Sequence, residues 1–220
     1  RLMYLEHFQL KSQPFSEHAT VSALWQDQRM DEGLARLEYL IQCGQLGLVT
    51  GPSGVGKSAL LKRFLHALQP QHCQALYCHF CQLPSAGLLK LLVGKLGEVP
   101  RRGKDRLFEQ ILGRARQTEG TLLIILDEAH LLDSDALTDI RLLISSALDD
   151  APPLKVVLAG QEPIRQTLRQ SSQAALLSRI GVRYHLSALT KSQTATYIDF
   201  QLKQAGGSEK LFEDSTKALI

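Results

Sequence analysis

The stretch "LGLVTGPSGVGKS", residues 46–58, constrains the fold more than any other part of the chain. A short β-favouring apolar run leads straight into a loop with glycines at 51, 54 and 56. Downstream, "SALLKRFLHALQ" stacks Leu60, Phe64 and Leu68 four apart, with Leu61 and Leu65 beside them, and Pro70 ends the run. Strand, glycine-rich loop and amphipathic helix in that order make a phosphate cradle from loop amides and a helix N-terminus. The letters fit G-x-x-x-x-G-K-[ST] at Gly51, Gly56, Lys57 and Ser58. Pro52, Ser53, Gly54, Val55 and Ala59 complete the segment expected to touch the nucleotide. Lys57 is expected to reach the β- and γ-phosphates of ATP, and Ser58 to ligate Mg²⁺.

The rest of the chain supplies strands and helices in alternation. Met30, Leu34, Leu37 and Ile41 give "DQRMDEGLARLEYLIQ" one apolar helical face, which Gly44 ends. "ALYCHF" reads as a second strand, "TLLIILDEA" as a strand buried on both faces, "LKVVLAG" as a fourth and "VRYHL" as a last, short one. Helices are expected in "AGLLKLLVGKLG", "DRLFEQILGRARQ", "DSDALTDIRLLISSALDD", "EPIRQTLRQ" and "QAALLSRI", with Asp133 or Ser134 capping the third of these. Such alternation predicts an α/β fold with a parallel sheet flanked by helices. From about residue 190 the pattern becomes all-helical. We therefore expect a nucleotide-binding α/β domain over 1–189, with residues 1–27 as an aromatic N-terminal arm. The beginning of a small helical lid is expected over 190–220. "STKALI" stops inside a helical pattern, so the natural chain is expected to continue.

Chemistry follows from what lies at the strand ends. Asp127 closes "LLIILD", where open α/β sheets bind ligands, and is expected to hold Mg²⁺. Glu128 is placed to orient and polarise the attacking water. An adjacent acid pair points to hydrolysis and away from a non-hydrolysing nucleotide switch, the reading from another class. Gln161 follows "VVLAG" and sits level with the phosphate loop; it either contacts the γ-phosphate or caps the next helix. Arg179, before the last strand, is a candidate to reach a neighbouring subunit's ATP, in competition with Arg165, Arg169 and Arg183. Residues 127–130 spell DEAH, but only about 30 residues follow position 190, far too few for the second lobe of a helicase. His130 is thus expected to act locally, near the γ-phosphate or at the start of the next helix.

Composition bounds the partners. The chain of 220 residues carries a formal net charge of +3, with 21% charged and 44% hydrophobic residues. That mild basicity permits nucleic-acid binding without requiring it. Arg101, Arg102, Lys104 and Arg106 in "VPRRGKDR" are the segment best suited to DNA phosphates, or else a solvated loop. No apolar run is long enough to span a bilayer, and no secretory leader opens the sequence. Cys73, Cys78 and Cys81, with His72 and His79, admit two readings: a metal site lacking a fourth cysteine, or small hydrophobes of a buried strand. Reduced thiols suit a cytoplasmic protein.

The phosphate loop, "LLIILDEAHLL", "IRLLISSALDD", "LKVVLAGQEPIRQTL", "LLSRIGVRYHLSALT" and "YIDFQLKQAGG" occur in one order after the opening "YLEHFQLKSQPF". Together they resemble the ExeA-type AAA+ ATPases over essentially the whole chain. That group has relatives in type II secretion, in pilus biogenesis and among transposition ATPases similar to TnsC and MuB. The resemblance implies a five-stranded parallel sheet with a helical lid, Gln161 as the sensor residue and Arg179 as the match to the family's arginine before the last strand. It also implies ATP-dependent homo-oligomers, rings or filaments. Two processes follow: a DNA-bound transposition regulator that recruits or activates a transposase or target selector, or an ATPase acting on envelope assembly proteins.

Overall fold

A computed structural model describes residues 3–16, 20–79, 83–146, 154–208 and 211–217. Five strands, β1 (Leu46–Thr50), β2 (Cys73–His79), β3 (Thr121–Asp127), β4 (Leu154–Gly160) and β5 (Ile180–His185), form one sheet in the order β2-β3-β4-β1-β5. Every neighbouring pair is parallel. The helices are α1 (Met3–His7), α2 (Gln28–Cys43), α3 (Lys57–Ala67), α4 (Ser85–Lys95), α5 (Lys104–Gln117) and α6 (Ser134–Ser146). They continue as α7 (Pro163–Leu168), α8 (Ala174–Leu177), α9 (Lys191–Gln204) and α10 (Asp214–Lys217). The expected α/β architecture is the observed one.

Strand periodicity divides the core. Leu122, Ile124 and Leu126 of β3 face one side with Val156 and Leu158, against Leu88, Leu92, Ile111, Ile140 and Ile144 of α4, α5 and α6. Leu123, Ile125, Val157 and Ala159 face the other side, against Leu37 and Leu40 of α2 and Leu60, Leu61 and Phe64 of α3. The near-continuous apolar runs of β3 and β4 are therefore a consequence of two covered faces. Cys73 and Cys78 fall on opposite faces of β2, one in each core, so these two thiols do not share a metal. Both are buried, and burial pushes the Cys78 thiol up to about 11, with Lys95 opposing weakly. The buried-strand reading of these cysteines holds, while Cys81 lies outside the described residues. Among the described residues no cluster of His, Cys, Asp or Glu has the makings of a metal site of that kind, and no helix is long and apolar enough to cross a membrane.

Two compact units emerge, residues 29–186 and a smaller one of residues 1–28 with 187–220. The larger holds the whole sheet. In the smaller, the Lys11 amide donates to Ala205 O at 2.7 Å, and Phe15 and Trp25 pack their rings on Tyr197. The described residues of the N-terminal arm thus fall in the same compact unit as the C-terminal helices. The physical reason is apolar: the arm's aromatic side chains find their partners on α9. Thr190 caps α9 through a reciprocal pair with Gln193, and Lys217 of α10 reaches Asp199 of α9 at 2.6 Å.

Candidate nucleotide site

The phosphate loop leaves β1 and enters α3 without a side-chain cap. Gly56, the residue before the helix, has φ 102, and Gly54 has φ 78, both left-handed values that only glycine adopts at ease. Their amides and the first turn of α3 are left to an anion. Lys57 is buried and donates from Nζ to Gly51 O at 3.0 Å and Pro52 O at 2.7 Å, so its ammonium stays inside the loop's own curve. Ser53, Gly54 and Ser58 are exposed along the loop, and Val55, Gly56 and Ala59 partly so.

Opposite the loop, β3 delivers Asp127 fully buried. Ser58 Oγ donates to Asp127 Oδ2 at 2.9 Å, across 69 residues of sequence. A hydroxyl and a carboxylate converging beside a phosphate cradle form a hard-oxygen donor pair, the set that suits Mg²⁺. The residues present therefore fit the ion that both motifs imply. Two further groups crowd the same oxygen. Tyr77 of β2 donates its hydroxyl to Asp127 Oδ2 at 2.6 Å, and His79 Nδ1 lies 3.6 Å from it. Burial, then the bond to Asp127, raises the Tyr77 phenol above its ordinary range, so it stands as a neutral donor. Neither residue was expected from sequence. Their signal was two polar side chains, two apart, on one face of the strand that runs in register with β3, with His79 opposite Asp127.

Glu128 follows in a left-handed backbone conformation, φ 55 and ψ 32, unusual for a glutamate. Its amide donates to Asp127 Oδ1 at 2.9 Å. Its side chain stays about one-quarter exposed. Strain at such a residue points to a functional constraint. Next along the sheet, β4 ends at Gly160 opposite Thr50 of β1, which sets Gln161 level with Gly51 at the start of the loop. Thr50 Oγ1 lies 3.2 Å from His185 Nδ1, and the same nitrogen is 3.0 Å from Glu162 Oε1. Polar side chains thus join the ends of β1, β4 and β5.

Arg179 stands elsewhere. It precedes Ile180, which pairs with Leu46, so it lies at the opposite end of the sheet from the phosphate loop, about 20 Å away along the strands. Its Nη1 donates to Ala175 O at 3.2 Å. Arg165 pairs with Glu162, and Arg183 donates to Leu177 O. In the basic segment, Lys104 is engaged by the buried Asp139 at 2.9 Å, and Asp139 also accepts from Ser85. Arg101, Arg102 and Arg106 are exposed. The loop before α5 is braced by buried Gln110, which accepts from the Arg101 amide at 3.0 Å and donates to Glu98 and to Val99 O.

The profile of the AAA domain family matches residues 42–168, from the end of α2 to the end of α7. The chain is 31% identical over 229 aligned positions to general secretion pathway protein A of Aeromonas hydrophila, covering 96% of this chain and 39% of that protein. It thus spans about two-fifths of that relative's length. Among solved structures, Cdc6p from Pyrobaculum aerophilum superposes with a TM-score of 0.73 at 17% identity, over 93% of this chain and 56% of that one. The Aeropyrum pernix ORC2 protein, in its ADPNP-ADP complexes, gives 0.68 at 19%, over 91% and 57%. These structural likenesses concern the fold. The chain belongs to the AAA family, and within it to the ExeA-type AAA+ ATPases.

Proposed function

We propose that the chain binds Mg²⁺-ATP and hydrolyses it, and that the nucleotide controls its assembly into homo-oligomers. The observation that carries this reading is the 2.9 Å contact of Ser58 with Asp127 beside an uncapped helix start. Gly51, Pro52, Ser53, Gly54, Val55, Gly56 and Ala59 would surround the phosphates, with Lys57 neutralising their charge. Mg²⁺, held through Ser58 and Asp127, would supply charge neutralisation of the transferred phosphoryl group. Glu128 orients the attacking water, and Gln161 stands at the γ-phosphate end of the loop. Arg179 lies too far back along the sheet to serve its own site, which supports a role toward a neighbouring subunit.

For the process, the exposed Arg101, Arg102 and Arg106 on a braced loop support assembly on duplex DNA, as in a transposition regulator that engages a transposase. A second reading, envelope assembly, is favoured by the identity to general secretion pathway protein A. Electron microscopy of the Glu128→Gln variant with ATP and duplex DNA tests the first. DNA-bound rings or filaments are expected. Replacing Arg101, Arg102 and Arg106 by alanine is expected to flatten the salt dependence of binding, by roughly one unit of slope for each phosphate no longer neutralised. Oligomers that ignore DNA would overturn the first reading and leave the second.

A further inference from the structure

His130 is the polar residue of the 127–130 segment that the proposed chemistry leaves unused. Its side chain is 13% exposed and sits between two functional groups. The Gln161 amide donates to His130 Nδ1 at 3.4 Å, and Glu128 Oε2 lies 3.5 Å from the same nitrogen. Gly160 makes the seat for the ring: a Cβ there would stand 3.0 Å from the His130 amide and 3.3 Å from Nδ1. One ring nitrogen therefore faces both the carboxylate placed to activate water and the backbone of the residue level with the phosphate loop.

That nitrogen has one in-plane position. It either accepts from the Gln161 amide or carries a proton and donates to Glu128. Accepting from Gln161 puts the proton on Nε2 and leaves Nδ1 with no proton to give to Glu128. The ring then holds the Gln161 amide and takes nothing from Glu128, so the carboxylate is left to face water; without the ring, that amide is open to the carboxylate itself. If the Gln161 amide moves away, Nδ1 is free to take the proton and tie the carboxylate down. We propose that His130 is a positioning residue through which the placement of Gln161 sets the availability of Glu128. The inference rests on the reading of Glu128 as the water-orienting group.

The test uses steady-state ATP turnover and the affinity for a fluorescent ADP analogue. Wild type is compared with Glu128→Gln, His130→Ala, His130→Asn and His130→Gln. Asparagine puts an acceptor where Nδ1 lies, whereas glutamine reaches the place of Nε2. His130→Ala is expected to lower kcat about tenfold or more, with nucleotide affinity unchanged within about twofold. His130→Asn should recover most of the loss and His130→Gln should not. Turnover in His130→Ala equal to wild type, or His130→Asn no better than alanine, overturns the inference alone. Full turnover in Glu128→Gln, or none in wild type, overturns the reading of Glu128 and the inference with it. Long-range ¹H–¹⁵N spectra of the wild-type imidazole give a check that needs no variant. The Nε2–H tautomer is expected, and the Nδ1–H tautomer would refute the arrangement.

Discussion

In the proposed reading, Glu128 sets activity against stability in one residue. Its φ of 55 and ψ of 32 lie in the left-handed region, which costs a residue with a β-carbon about 1–2 kcal/mol. Asparagine occupies this region more readily, so Glu128→Asn should recover about 0.5–1 kcal/mol of that strain. Its loss of charge is shared by Glu128→Gln, which keeps a long side chain on the same strained backbone. The amide bond from residue 128 to Asp127 Oδ1 survives in both. For a chain of 220 residues each kcal/mol moves the melting point by about 2–4 °C, so Glu128→Asn should melt about 1–4 °C above Glu128→Gln. Differential scanning calorimetry without nucleotide reads this difference, and ATP turnover is expected to vanish in both variants. A melting point for Glu128→Asn at or below that of Glu128→Gln would show that the backbone holds no strain there, and the functional argument drawn from it would fall.

Other parts of the site make separate claims. Lys57→Ala should weaken ATP binding by about 10- to 100-fold, the worth of charge-assisted bonds to phosphate, and unchanged affinity by titration would defeat the phosphate-loop assignment. Mixing Arg179→Ala with Lys57→Ala subunits should restore some turnover, because each interface of one orientation then holds an intact loop and an intact arginine; no rescue at any ratio would count against action between subunits. Burial raises the Cys78 thiol from about 9.0 to about 11, so the folded state favours the protonated form. That contribution is complete below pH 9 and is lost as pH rises toward 11, roughly 2–3 kcal/mol in all. Chemical denaturation across this window should show a flatter profile for Cys78→Ala than for wild type, and parallel profiles would refute it.

What could be read in the sequence was local or periodic. The phosphate loop needs only its own letters, and β3 and β4 announce their burial by unbroken apolar runs. Asp127 and Glu128 follow at once, since a strand end is where such a sheet meets its ligand. Pairings across the chain were not legible. Tyr77 and His79 reach Asp127 from 50 and 48 residues away, through the in-register alignment of β2 with β3. Lys104 reads as one of four basic residues, and only packing shows that Asp139, 35 residues on, has engaged it. The aromatic arm is similar: nothing near Phe15 in sequence indicates that its partner is Tyr197. Between the two candidate caps of α6, the structure selects Asp133, whose Oδ1 accepts from the Ala136 amide at 2.7 Å.

One junction ties the phosphate loop to the point where the chain departs for the smaller unit. The Leu186 amide donates to Thr50 O at 2.7 Å, and a Cβ on Gly51 would collide with Leu186 O. Leu186 is the last residue of the larger unit, and Ser187 begins the other segment. The first peptide of the loop and the last peptide of the sheet unit are therefore riveted back to back, with no room for a side chain between them. The close approach of the Leu186 carbonyl is what reserves position 51 for glycine, so the first residue of the loop is fixed as much by the far end of its own unit as by the phosphate it would face.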